Sequence, residues 1–161
     1  KEKGLIGVKF HPDFQEFNID DPDSVDMYRE IAKRNMIVLF HMGDNRYDFS
    51  SPRRLYNLME KVPELKIHAA HFGGYQAWDE AYDCLPVCDR LYFDTSSSLF
   101  VIDQKRAYTF IEKYGREKFM FGTDFPMWEP KGELERFMAL GLDTETRDMI
   151  LYSNFKRFYG V

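Results

Sequence analysis

The sequence predicts an α/β fold built on a parallel sheet, and three observations carry that reading. Five short apolar runs of strand length recur along the chain. Each is followed by a stretch whose apolar residues repeat at helical spacing, and such continuous runs suit strands buried on both faces of a parallel sheet. Three of the runs also finish on a residue that ligates metals: His41, His71 and Asp124. Five strand–helix units fit either an open doubly wound sheet or a stretch of a (β/α)8 barrel. In both, functional groups gather at the carboxyl ends of the strands.

Residues 5–10 read as the first strand, with Lys9 inside it, followed by a long polar loop over 11–23. Asp21-Pro22 is a helix start, an acidic cap with proline at the first helical position. Val25, Tyr28, Ile31 and Ala32 then mark one helical face. Residues 36–40 form the second strand, ending at His41-Met42-Gly43. Ser51-Pro52 opens a helix with Leu55, Leu58, Met59 and Val62 on one side, stopped by Pro63. Residues 65–70 are the third strand, broken by Gly73-Gly74. Trp78, Ala81, Tyr82 and Leu85 lie on the next helix, which Pro86 ends. Leu91-Tyr92-Phe93 is the fourth strand and finishes in Asp94 and a Ser/Thr run. A helix with Ala107, Phe110, Ile111 and Tyr114 closes at Gly115. The fifth strand spans 119–121, a helix follows over 133–140, and a last helix starts at Asp143 and carries Met149, Ile150, Tyr152 and Phe155.

Composition narrows the function classes. At 161 residues and 44% hydrophobic content the chain has single-domain length and enough apolar material for a core. The net charge of −5, with no basic run, gives nucleic-acid binding no electrostatic support. No apolar stretch approaches the roughly 20 residues of a membrane span. No glycine-rich phosphate loop follows the first strand. Cys84 and Cys88 alone cannot complete a structural zinc site, so reduced thiols of a cytoplasmic protein are the expectation. The start on Lys1 suggests a processed or cropped product.

Neutral imidazole and carboxylate are ligands of first-row metals, and an acid at a strand mouth is costly unless a cation or hydrogen bonds receive it. A hydrogen-bonded core histidine is the ordinary account of any one such residue. His41, His71 and Asp124 at equivalent strand ends argue instead for one shared site. His68, three residues before His71, reads as structural, on the opposite face of the strand. Asp94 reads as an Asx turn or as a polar wall of the site. Lys9 could pair with a carboxylate, meet an anionic substrate or carry a metal-bridging carbamate, and His11 stands at the edge of the first loop.

The motifs GVKFHPDFQ, LFHMG, AHFGG, YFDTSS, FGTDFP and SNFKRFYG span the chain. In order and spacing they resemble the C-terminal part of the amidohydrolase-related family (the amidohydrolase 2 group), metal-dependent (β/α)8 barrels of hydrolases and nonoxidative decarboxylases. The resemblance implies a partial TIM barrel, strands four to eight with their helices, over residues 1–161 without an internal boundary. It implies His41 as a metal ligand, His71 as a ligand or catalytic acid/base, and Asp124 as a ligand and proton carrier. Lys9, His11 and Trp128 are then the expected substrate contacts. The implied cofactor is a divalent metal, zinc first and manganese second. The implied activity is hydrolysis of a small cyclic or carboxylated substrate by a metal-activated water, with nonoxidative decarboxylation as the alternative.

One departure qualifies this. The family's first strand supplies two ligands through a His-x-His or Glu-x-His pair, and this sequence contains neither. The chain therefore reads as a fragment of a longer enzyme, a half that needs a partner, or an inactive assembly module. A homo-oligomer or a missing N-terminal half is the expected partner, beside a small-molecule substrate.

Overall fold

The five apolar runs become β1 (Gly7–Phe10), β2 (Ile37–Phe40), β3 (Lys66–Ala69), β4 (Leu91–Asp94) and β5 (Phe119–Met120) in the computed structural model, which describes residues 4–161. They form one sheet in chain order, every pair parallel. The connections carry α2 (Pro22–Lys33), α3 (Pro52–Lys61), α4 (Trp78–Cys84) and α5 (Gln104–Tyr114). α6 (Pro130–Ala139) follows β5, and α7 (Thr144–Asp148) and α8 (Asn154–Tyr159) close the chain. The caps expected from sequence are present at α2, where Asp21 accepts from Asp23 N–H, and at α7, where Asp143 accepts from Thr146 N–H. Gly115 follows α5 at φ 93°, a conformation glycine tolerates without a Cβ penalty.

Strand register separates the sheet into two unlike faces. Val8, Val38, Ile67 and Leu91 share one row, and Phe40, Ala69, Phe93 and Phe119 follow on the same face. The helices cover it. Phe93 stacks on Phe119 at 5.2 Å between centroids, and Phe72 meets Phe110 edge-on at 5.8 Å. The other face carries Lys9, Leu39, His68 and Tyr92 in one row. Here Lys9 and Lys66 are exposed and Leu39 is half-buried, so burial of all strands on both faces does not hold. Among the described residues the aromatic cover lies over β3 and β4, where Phe158 stacks on Tyr92 at 4.0 Å and the Tyr159 hydroxyl lies 2.7 Å from His68 Nδ1. Buried Asn154 anchors that cover by donating to the carbonyls of Arg116 and Phe119.

Three local readings change. The polar loop after β1 contains a helical turn, α1 (Pro12–Gln15), because Pro12 presets φ and the His11 side chain accepts from Phe14 N–H. The last helix is interrupted by a π-helical turn (Met149–Ser153), so it is two short segments rather than one. His71 is not on β3. It begins a turn (His71–Gly73) at φ 61°, so the alternation rule that set it opposite His68 does not apply.

Candidate metal centre and active site

The carboxyl ends of the strands open into a cleft of about 460 Å³ lined by Lys9, His11, His41, His71, Asp124 and Trp128, with Phe14, Arg46 and Tyr75 among its other walls. All six residues singled out from the sequence therefore face one space. His41 directly follows β2, His71 lies in the turn after β3, and Asp124 comes four residues past β5. His71, Ser97 and Asp124 all adopt left-handed backbone angles, at φ 61°, 52° and 59°. Such conformations cost a non-glycine residue on the order of 1–3 kcal/mol and persist where the surroundings over-determine them. Gly43, at φ 75°, is sterically required. A Cβ there would lie 2.5 Å from the Tyr75 backbone nitrogen, and the close approach lets the Gly43 carbonyl reach His41.

A continuous polar network runs through the floor of the cleft. The Tyr159 hydroxyl faces His68 Nδ1, and His68 Nε2 lies 2.9 Å from Asp94 Oδ2. Asp94 Oδ1 accepts from His71 N–H, from Ser96 N–H and from the Ser96 hydroxyl. Of the two sequence readings of Asp94, the Asx turn is present, since Ser96 N–H meets its Oδ1; the carboxylate does not line the cleft and instead supports His71 from behind. Burial alone would raise the Asp94 carboxyl. Its contact with His68, helped by His71 and Ser96, instead holds it well below the usual carboxylate range. His68 is buried and structural as expected, but it belongs to the site's support.

Hydrogen-bond partners assign the protons along this line. His71 Nδ1 lies 2.9 Å from the Ser96 carbonyl and 2.9 Å from the Ser96 hydroxyl, whose own proton goes to Asp94. Both partners accept, so Nδ1 carries the proton and Nε2 carries a lone pair. That lone pair faces His41 Nδ1 at 2.9 Å, and with oxygens facing its Nε2 as well, a neutral His41 has acceptors on both ring nitrogens and a single proton to give. Nε2 looks at two more oxygens, the Gly43 carbonyl at 2.9 Å and Asp13 Oδ2 at 3.6 Å. More acceptors than protons converge here, and such a cluster of lone pairs is a place for a cation. Burial, together with the neighbouring His71 and His11, pushes His41 down to about 3, which leaves it neutral and ligand-ready at pH 7.

The residues present fit a metal ion. Among the described residues, one histidine–carboxylate group brings three ligand atoms within 4.8 Å of one another: His11, Asp13 and His41. Asp13 is the member of this group that sequence reading missed. It is buried, takes a short hydrogen bond from Ser50, and burial raises its carboxyl. The signal was its place two residues after His11, hidden by reading 11–23 as a loop. His71 joins the group only through His41. Asp124 stands on the opposite wall, where Oδ2 accepts from the Ser97 hydroxyl at 2.8 Å and Ser97 in turn accepts from Trp128 Nε1 at 2.9 Å.

Comparisons with known proteins agree with this fold. The model of the amidohydrolase family matches residues 1–161. No curated protein sequence matches the chain at a significant level. Among solved structures, 5-carboxyvanillate decarboxylase from Novosphingobium aromaticivorans, complexed with manganese, superposes at TM-score 0.77 and 13% identity, covering 100% of this chain and 58% of that one. The 2,6-dihydroxybenzoate decarboxylase from Rhizobium gives 0.68 and 17%, covering 89% and 57%. A candidate 2-pyrone-4,6-dicarboxylic acid hydrolase from Pseudomonas putida gives 0.71 and 16%, covering 99% and 64%. At these identities the likeness is one of fold. The chain spans less than two thirds of the length of each of these structures.

Proposed function

The chain belongs to the amidohydrolase family, and on that premise we propose that it is the C-terminal portion of a metal-dependent (β/α)8 enzyme acting on a small carboxylated ring compound. The observation that carries this reading is the cleft itself, in which imidazoles, an acid and cationic side chains meet aromatic walls. His41 holds a divalent metal in this reading, zinc or manganese. The metal supplies Lewis acidity and an acidified water. Lys9 and Arg46, both on the cleft, attract the substrate carboxylate. Trp128, fixed by its bond to Ser97 and by packing on Phe100 at 4.4 Å, gives the ring a flat surface and excludes water. Asp124 and His71 handle the proton.

Hydrolysis is the first reading, with Asp124 as the base that takes a proton from the attacking water. Decarboxylation is the second. It is favoured by the combination of aromatic walls with Lys9, which suits an aromatic acid, and there Asp124 or His71 delivers a proton to the ring carbon that loses CO2. The further parts of the reading are a cytoplasmic protein, in keeping with free Cys84 and Cys88, and completion of the barrel by an N-terminal half or by association with another chain. The test is product analysis of the manganese-loaded protein, alone and joined to its upstream reading frame, with hydroxybenzoates and cyclic esters. Release of CO2 from the aromatic acid selects the second reading, ring opening of the ester the first. Inertness of both forms toward both classes overturns the proposal.

A further inference from the structure

We propose that Tyr159 and His68 are positioning residues for His71: from the C-terminal helix and from β3 they fix the Asp94 carboxylate, which in turn holds both the backbone and the ring of His71 at the cleft. This rests on the reading of His71 as a group that handles the substrate proton, and it names the side chains that keep it ready to do so.

His71 and Phe72 are consecutive left-handed residues, at φ 61° and 54°. Neither is glycine, so the turn after β3 needs support from outside itself. One carboxylate oxygen gives it. Asp94 Oδ1 accepts from the His71 backbone N–H at 3.0 Å and from the Ser96 hydroxyl at 2.6 Å. The same hydroxyl lies 2.9 Å from His71 Nδ1, so it has one proton and two acceptors in reach. A well-placed Asp94 takes that proton, and Nδ1 keeps its own. A carboxylate turned aside releases the Ser96 proton to Nδ1, and the ring proton then sits on Nε2, which can no longer accept one.

The second oxygen is held from outside this turn. His68 Nε2 lies 2.9 Å from Asp94 Oδ2 and has no other partner among the described residues. The Tyr159 hydroxyl meets His68 Nδ1 at 2.7 Å. Burial, with Asp94 nearby, raises the Tyr159 hydroxyl, so it keeps its proton and donates it to Nδ1. The His68 proton is thereby left on Nε2, against Asp94. Buried polar groups of this kind are often matched in stability by apolar side chains of similar volume, so the polarity of the line points to His71 rather than to the fold.

The experiment is long-range 1H–15N spectroscopy of the histidine rings of the metal-free chain, together with solvent exchange of the His71 backbone amide. The variants are His68→Leu, His68→Gln and Tyr159→Phe, with Leu55→Ala as a buried helix-side control of lowered stability. The parent is expected to show His71 protonated at Nδ1 and its amide protected. In His68→Leu the Nε2-protonated share and the amide exchange rate both rise, by about three- to tenfold, the weight of one net hydrogen bond. Tyr159→Phe shows the same changes at smaller size. His68→Gln keeps an N–H toward Asp94 and restores the parent pattern. Leu55→Ala lowers the melting temperature and leaves the His71 tautomer unmoved. An unchanged His71 in His68→Leu, or an equal change in Leu55→Ala, overturns the inference. Should His68→Leu fail to fold, Tyr159→Phe and the parent decide: a parent ring protonated at Nε2, or a tautomer unmoved by Tyr159→Phe, overturns it. None of these signals requires turnover, so this inference and the proposed function fail separately.

Discussion

The two faces of the sheet obey different rules. The helix side is a continuous stack of Val8, Val38, Ile67, Leu91, Phe93 and Phe119, closed by α2 to α5 and carrying no ionisable group in its strand rows. The opposite side carries Lys9, Lys66, His68 and Asp94 on the same four-residue strands, with cover from Phe158 and Tyr159 over only part of its width. Hydrophobic burial decides the first face. Hydrogen-bond direction decides the second, because every buried polar group there needs an identified partner or it costs more than the packing gains. One face builds the scaffold and the other states the chemistry.

The largest test of the contrast is truncation on each side. Phe93→Ala, at a fully buried position, is expected to cost about 3–5 kcal/mol in denaturant melts. Leu39→Ala, half-buried on the other face, should cost below about 2 kcal/mol, under the range for fully buried leucines. Equal costs would mean that the open face is covered in solution, by another copy or by upstream sequence. Next in size is Tyr159→Phe. Removing the hydroxyl leaves His68 Nδ1 buried without a donor, for an expected loss of about 1–3 kcal/mol. A variant as stable as the parent would show that the polar line is not fastened at that end.

The effect that is smallest at each step, because it is spread over several pH units, is on pH dependence. His41 is depressed from an ordinary 6.5 to about 3, so between those values the unfolded chain binds a proton that the folded chain refuses. The metal-free protein should lose stability as pH falls through 6.5 toward 3, by at most about 1.4 kcal/mol per pH unit from this group. His41→Asn should flatten that part of the profile. An unchanged slope would place the effect on another group.

The same contrast explains what was legible in the sequence. Strands, helices, caps and chain order follow from apolar spacing and from Asp21-Pro22, Ser51-Pro52 and Asp143, because local chemistry alone dictates them. The positions of His41, His71 and Asp124 were legible for a related reason: an apolar run ending in a ligand is itself a local pattern. What joins them was not. Asp13 was lost in an apparent loop because a single helical turn has no periodicity to detect. His68 was set apart from His71 by counting alternation across residues that had already left the strand. The His68 contacts join β3, β4 and the C-terminal helix, separations that no window of sequence spans. The pairing of Tyr159 with His68 depends on Asn154 pinning α8 beneath β5, which is purely tertiary.

The central claim is that the open face holds a divalent metal at His41. Its most direct test is the metal content of the purified chain after equilibration with Mn2+ at about neutral pH, for the parent and for His41→Ala. The account predicts about one ion per chain in the parent and its loss in the variant, at an affinity cost of roughly 100-fold or more, with the helix-side core still folded. Equal uptake by both proteins, or none by either, would contradict it.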